Sequence, residues 1–236
     1  MTLEEIIKAR RSVRIFDQQV KFDHEKVTRA LELTLLAANS SNLQTWEFYR
    51  IQDKEKIRQM VPLCLKQNAC RTASELVLFV SRRDLWRSRC TWNLDHIADL
   101  HTDPKRIAKS KRYYGVSIPF LYKNDFLGIH TLKRFFYLQY HHLIKKPLIN
   151  WVTKNDTRIV SHKTMGIAAA HFMLSMTDQG CATCPMEGFD EFKVKKFLKL
   201  PKEAEISIIL ACGLAAPEGV YYDRTRLNSK DVVFEI

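Results

Sequence analysis

Residues 76–81 read Leu-Val-Leu-Phe-Val-Ser, a short run in which both alternating sets of side chains are apolar. A strand of that kind has to be covered on both faces, so the chain needs layers on each side of it. The run at 206–211, Ile-Ser-Ile-Ile-Leu-Ala, predicts a second buried strand, and 47–52 a third. Between and around these lie helical patterns. Thr2 with Glu5 forms a capping box for a short helix carrying Leu3, Ile6 and Ile7 and ending near Ala9. Asp23 is a plausible N-cap for a second helix, whose Val27, Ala30, Leu31, Leu35 and Leu36 recur at helical spacing until the polar loop 38–42. Further helices are expected over 54–65, 157–178 and 189–200, the second stopped by Gly180 and the third by Pro201. In the 157–178 helix Gly166, Ala168, Ala169 and Ala170 permit close packing, which predicts a central core helix.

At 236 residues one domain spanning 1–236 is the default. The opening Met1-Thr2-Leu3-Glu4-Glu5 is acidic where a signal peptide would be basic and then apolar, and Lys or Arg interrupts every apolar stretch. The expectation is a cytoplasmic protein. Six cysteines without a secretory signal point to free thiols. The net charge of +12 is regional, because residues 82–154 hold 15 Lys or Arg against 5 Asp or Glu. The segment of about 85–155 stands out as an insertion.

Two groups of residues look built for an anion. Arg10, Arg11, Ser12 and Arg14 follow directly on a helix, and three guanidiniums with a hydroxyl among them can surround a doubly charged phosphate. Arg224 and Arg226 lie at alternate positions of an extended segment and so point the same way. Taken alone, each group also reads as a solvated basic stretch.

Four motifs in order change that balance. Ala9-Arg10-Arg11-Ser12-Val13-Arg14-Ile15-Phe16 resembles the opening signature of FMN-dependent nitroreductases, and Asn39-Ser40-Ser41-Asn42-Leu43-Gln44-Thr45-Trp46 resembles their second motif. Pro185-Met186-Glu187-Gly188-Phe189-Asp190 is similar to the third, and the stretch from Gly213 to Arg224-Thr225-Arg226-Leu227 to the fourth. The resemblance covers 1–81 and 157–236. Thr45 stands where the family often has Pro, and 85–155 matches no pattern of the family.

The resemblance implies an α+β fold with a mostly antiparallel central sheet flanked by helices, in a domain-swapped homodimer with two FMN sites at the subunit interface. It implies that Arg10, Arg11, Ser12 and Arg14 meet the phosphate, ribityl and pyrimidine side of FMN, with Arg224 and Arg226 completing the phosphate pocket. Ser40, Ser41, Asn42 and Gln44 would come from the partner subunit, and Asn68 with Arg71 would meet the flavin's N3, O2 and N1 region. Pro185 would lie against the ring, with Met186 beside it, and the backbone N–H groups of Glu187 and Gly188 would bond N5 and O4. The activity implied is hydride transfer from NADPH or NADH through flavin N5 to small electron-poor acceptors such as nitroaromatics or quinones, by a ping-pong route. The flavin carries that chemistry, so no catalytic side chain is named.

Other chemistries are poorly served. Cys181-Ala182-Thr183-Cys184 has the spacing of a redox or zinc half-site, but no second ligand pair accompanies it, and no metal site is expected. The insertion holds 12 of the 25 aromatic residues, and Ile129, Leu132, Phe136, Tyr140 and Leu143 follow helical spacing between Phe126 and Pro147. A helix packing on the dimer or over the flavin as a lid is the leading reading. The basic, aromatic composition also fits a peripheral membrane surface or nucleic acid, although no nucleic-acid partner is expected. The other function class open to the sequence is therefore an FMN-binding protein without turnover, whose insertion meets such a surface.

Overall fold

The computed structural model describes residues 1–100 and 102–236. In chain order the first half contains α1 (Leu3–Ala9), β1 (Phe16–Asp17), α2 (Glu25–Thr34), β2 (Trp46–Ile51), α3 (Lys54–Leu63), α4 (Asn68–Thr72) and β3 (Glu75–Ser81). The middle is helical: α5 (Trp86–Leu100), α6 (Pro104–Arg112), a π-turn (Tyr113–Ser117), α7 (Ile118–Tyr122) and α8 (Ile129–Leu143). Then follow α9 (Lys154–Asp178), β4 (Ala182–Met186), α10 (Glu191–Phe197) and β5 (Glu205–Ala215).

The five strands form one sheet in the order β1-β5-β3-β2, with β4 also pairing β5. Each pairing between them is antiparallel. All seven residues of β3 are buried, as its apolar run requires. Leu76, Leu78 and Val80 enter a core shared with Ile57, Met60 and Met186 on one face. Val77 and Phe79 enter another on the opposite face, with Trp46, Met165, Ala168 and Phe172. The sheet is therefore sandwiched between α3 and α10 on one side and α2 and α9 on the other, an antiparallel sheet flanked by helices as expected of the α+β class.

Several boundaries moved for local reasons. The Asp23 side chain does accept a backbone N–H, from Glu25 at 3.0 Å, but α2 begins only after His24. The long helix starts three residues before the expected 157, because Thr153 and Asp156 form a capping box. Gly180 ends that region at φ +71°, the left-handed conformation that glycine adopts freely. Of its small residues, Ala168 and Ala169 are buried in the core, whereas Gly166 and Ala170 face outward. The sequence reading missed β1 and β4. It also placed one helix where the insertion has four, packed over a small core of Leu43, Cys90, Ile118 and Tyr122.

Candidate functional site

The segment after α1 is stitched between two distant parts of the chain. Arg10 caps the helix through its backbone N–H to the Ile6 carbonyl at 2.9 Å. Ser12 bridges to Thr183, Val13 N–H donates to the Thr183 carbonyl at 3.1 Å, and Arg14 N–H donates to the Gly219 carbonyl at 2.6 Å. The N-terminal arginines are thereby fixed against β4 on one side and the C-terminal segment on the other.

Between these pieces opens a cavity of about 590 Å³, lined by Arg10, Arg11, Ser12 and Arg14, by Lys66, Gln67 and Asn68, and by the segment 220–226. Six of its lining side chains are cationic and only Asp223 is acidic. Burial, then the charges of Arg224, Arg226 and Arg11, hold the Arg10 guanidinium below its ordinary pKa. The lining thus carries a net positive charge, six cations against one acid, which favours an anion there. Its guanidiniums are nevertheless positioned. Arg11 donates to the Tyr222 carbonyl, Arg224 to the carbonyls of Lys8, at 3.0 Å, and Arg10, and Arg226 to that of Thr225 at 2.6 Å. Each guanidinium has five N–H donors, so these anchors leave donors for a ligand. Asn68 Nδ2 donates to the Tyr221 hydroxyl at 2.9 Å.

The two ends of the chain can meet here because Gly219 lets backbones approach and Gly213 makes room for the Phe16 ring. A Cβ on Gly219 would lie 2.5 Å from the Ile15 carbonyl oxygen, and one on Gly213 would lie 2.8 Å from Cδ1 of Phe16.

The remaining residues singled out in the sequence fall into three groups. Arg71 is exposed in the last turn of α4, outside the cavity lining, with a long contact of 3.4 Å to the Lys66 carbonyl. Pro185 is half-buried in β4 opposite Leu210, Met186 is packed in the core, and Glu187 and Gly188 follow the strand. Gly188 touches the cavity's edge through its carbonyl, which accepts from Gln67 Nε2 at 2.7 Å. The loop of Ser40, Ser41, Asn42 and Gln44 lines no part of the basic cavity. Its Ser41, Asn42 and Gln44 hold φ of 58°, 48° and 45°, left-handed values on either side of Leu43, and the insertion holds the first two. Ser41 Oγ shares a hydrogen bond with the Tyr113 hydroxyl at 2.7 Å, Tyr114 donates to the Ser41 carbonyl at 3.0 Å, and Asn42 pairs with Asn93. Ser40 and Ser41 instead border a second cavity of about 580 Å³, walled by Tyr113, Phe120, Tyr137 and Trp151.

Sequence reasoning missed Lys66, Gln67, Tyr221 and Tyr222. Lys66, next to Asn68, was the legible one, a cation beside a residue already chosen. Leu65 and Lys66 at φ 53° and 57° turn it toward the cavity, a conformation that no residue type announces. Cys181 and Cys184 are free and buried, and burial pushes both thiols up, away from the thiolate that redox or zinc chemistry needs.

The profile described as the nitroreductase family matches residues 7–214. YdgI of Bacillus subtilis, named as a candidate NAD(P)H nitroreductase, is 24% identical over 217 residues, 91% of this chain and 89% of that protein. Among solved structures, YdfN of Bacillus subtilis, a nitroreductase candidate, superposes with a TM-score of 0.78 at 18% identity, covering 99% of this chain and 98% of its own. A nitroreductase candidate from Exiguobacterium sibiricum, solved in complex with FMN, gives 0.71 at 21% identity, covering 100% and 98%.

Proposed function

The chain belongs to the nitroreductase family, and from that premise we propose that it is an FMN-dependent oxidoreductase acting on small electron-poor molecules with NADPH or NADH as donor. The observation that carries this reading is the cavity with six cationic side chains against one acid, in which Arg10 is held below its ordinary pKa. A dianionic phosphate supplies the missing charge, and a cavity of about 590 Å³ lies within the usual range for cofactor sites. FMN, when bound, would supply the hydride chemistry between a nicotinamide donor and a small acceptor such as a nitroaromatic or quinone, for which we propose ping-pong kinetics.

The chain's own residues bind and orient. Arg10, Arg11, Ser12, Arg14, Arg224 and Arg226, joined by Lys66, hold the phosphate and ribityl end by charge-assisted bonds. Asn68, in the cavity wall, would serve the pyrimidine edge, and Arg71, exposed outside the lining, would have to turn in from the end of α4 to add a cation that favours the anionic reduced form. Pro185, Met186, Glu187 and Gly188 supply backbone and the proline ring at the isoalloxazine. The side chain of Met186 is committed to the core, so its share is main chain only. The sequence offers no Rossmann fingerprint or Gly-rich phosphate loop as a separate nicotinamide site, so donor and acceptor would share the flavin site by turns.

The site is completed in a homodimer. The loop of Ser40, Ser41, Asn42 and Gln44 lies away from its own chain's basic cavity, which suits a role at the partner's flavin. The outward face of α9 offers Gly166, Ile167 and Ala170, with nothing within 4 Å of a Cβ on Gly166, and the C-terminal tail exposes Leu227, Val232, Val233 and Phe234. Both are apolar surfaces of the kind a partner covers. Purified protein mixed anaerobically with NADPH or NADH tests the enzyme: rapid bleaching of flavin absorbance supports it, and a flavin that stays oxidised with both donors refutes turnover.

A further inference from the structure

The outward face of α8 is apolar. Ile129, Leu132, Phe136, Tyr140 and Leu143 are all exposed, whereas the buried positions of that helix are Arg134 and Leu138. At about 3.6 residues per turn the apolar stripe lies opposite the buried pair, the reverse of an ordinary surface helix. The stripe read from the sequence as a packing face is therefore turned away from its own chain. Just before it, Phe126 is fully exposed and Leu127 is 77% exposed.

The ionic groups around this face are almost all of one sign. Residues 118–152 contain Lys123, Lys133, Arg134, Lys145 and Lys146 against the single acid Asp125. That carboxylate is occupied by the N–H groups of Ile129 and His130 at 2.8 and 2.7 Å. The four lysines are exposed. The display is also rigid, because Arg134 ties the turn and both helices together through the carbonyls of Val152, Phe120 and Lys123 at 2.7, 3.1 and 2.8 Å.

We propose that the α7–α8 hairpin seats on an anionic lipid bilayer, with Phe126, Leu127 and the outward stripe of α8 at the acyl boundary and the lysines at the headgroup phosphates. Among the described residues no helix is long and apolar enough to cross a membrane, so the contact is interfacial. A second copy seated on this same face is the weaker occupant, because a like-on-like contact would set the exposed Lys123, Lys133, Lys145 and Lys146 of one copy against those of the other; the proposed homodimer uses other surfaces. Nucleic acid would use the lysines and stack on rings, but it leaves Ile129, Leu132 and Leu143 without a hydrocarbon partner.

The test uses the full chain. It is sedimented with vesicles of equal parts phosphatidylglycerol and phosphatidylcholine, and with vesicles of phosphatidylcholine alone. We expect binding to the anionic vesicles to be stronger by about tenfold or more and to weaken as salt rises. Phe126→Ser with Leu127→Ser should lower it by about tenfold or more, with flavin content and circular dichroism unchanged. Should that variant misfold, Lys145→Glu with Lys146→Glu gives the same decision through charge. Equal binding to both vesicle types, no binding to either, or variants that bind as well as the parent overturn the proposal. So does an oligomer that dissociates in the Phe126/Leu127 variant while the parent ignores vesicles, since the face is then covered by a second copy.

Discussion

The backbone N–H of Arg14 donates to the Gly219 carbonyl at 2.6 Å, joining residues 205 positions apart in sequence. That bond carries the C-terminal segment, with Arg224 and Arg226, to the N-terminal arginines. It depends on the absence of a side chain at 219, where a Cβ would stand 2.5 Å from the Ile15 carbonyl oxygen and 2.9 Å from that of Ala216. Both obstacles are backbone and cannot swing aside.

Gly219→Ala should therefore destabilise the fold by about 1–3 kcal/mol, the range for overpacking. Because the strain displaces the cavity's far wall, FMN affinity should fall with it. Thermal melting and fluorescence titration measure the two effects. A variant with unchanged affinity would show that the arginines do not depend on this junction.

Arg226→Ala should weaken FMN binding by about 1.5–3 kcal/mol, the value of a charge-assisted hydrogen bond. The lowered pKa of Arg10, due to burial and then to Arg224, Arg226 and Arg11, gives a companion expectation. A depressed guanidinium pKa means that the folded state disfavours its charged form, and at every pH below the guanidinium range its burial and then its repulsion by neighbouring arginines cost stability. An anion relieves that repulsion, so FMN or millimolar inorganic phosphate should raise the melting temperature of flavin-free protein, and the rise should shrink in Arg226→Ala.

How much of this was legible depended on whether the signal was local. The buried faces of β3, the Thr2–Glu5 capping box and the stop at Gly180 are written in neighbouring residues, and the structure has them. The arginines of the cavity were identifiable because each lies in a motif. Lys66, Tyr221 and Tyr222 join them only through long-range register and positive φ. β4 was hidden because Cys181, Cys184 and Pro185 were read for their chemistry, although Ala182–Met186 pairs along β5. The insertion misled for a different reason. Helical spacing of Ile129, Leu132, Phe136, Tyr140 and Leu143 fixes that they share a face, but not whether that face looks in or out.

Glu75 is fully buried between Arg50, whose Nε lies 2.5 Å from Oε1, and His24, whose Nδ1 lies 2.6 Å from Oε2. Arg50 also donates to Thr28 Oγ1 at 2.8 Å and to the His24 carbonyl at 2.9 Å, so the network binds α2 to the sheet. Glu75→Gln leaves Arg50 without its counter-charge and should cost about 3–5 kcal/mol. Urea denaturation measures it, and a loss below about 1 kcal/mol would mean that solvent already supports the arginine.

Acid stability should depend on Glu205. Burial pushes its carboxyl pKa up, but hydrogen bonds from His162, at 3.1 Å, and Arg158 outweigh this and hold it below the ordinary value. The folded pKa thus lies below the unfolded one. The stabilisation is present above the unfolded value of about 4.3 and is lost as pH falls through the folded pKa. Glu205→Gln should lower stability near neutral pH by about 1 kcal/mol, and its melting curve should converge with that of the parent as pH falls through the folded pKa of Glu205. Parallel pH profiles would remove this carboxylate from the acid limb.

Arg134 sets the last expectation. It is only 2% exposed, and burial lowers its pKa against the weaker pull of Asp125 and Asp156, yet its partners are neutral. Its Nε donates to the Val152 carbonyl at 2.7 Å, Nη1 reaches the carbonyls of Phe120, Leu121 and Lys123, and Nη2 the Asn124 side chain at 2.9 Å. A lysine places all its donors on one nitrogen and cannot span acceptors on α7, the following turn and residue 152 together. Arg134→Lys should thus resemble Arg134→Met, each leaving buried carbonyls unpaired at about 1–3 kcal/mol. The damage should be confined to the insertion. Hydrogen exchange over 118–152 should speed up in both variants, while FMN affinity, set by a cavity that Arg134 does not line, stays at the parent value. Equal protection in parent and variants would show that the hairpin is held by its apolar contacts and not by this arginine.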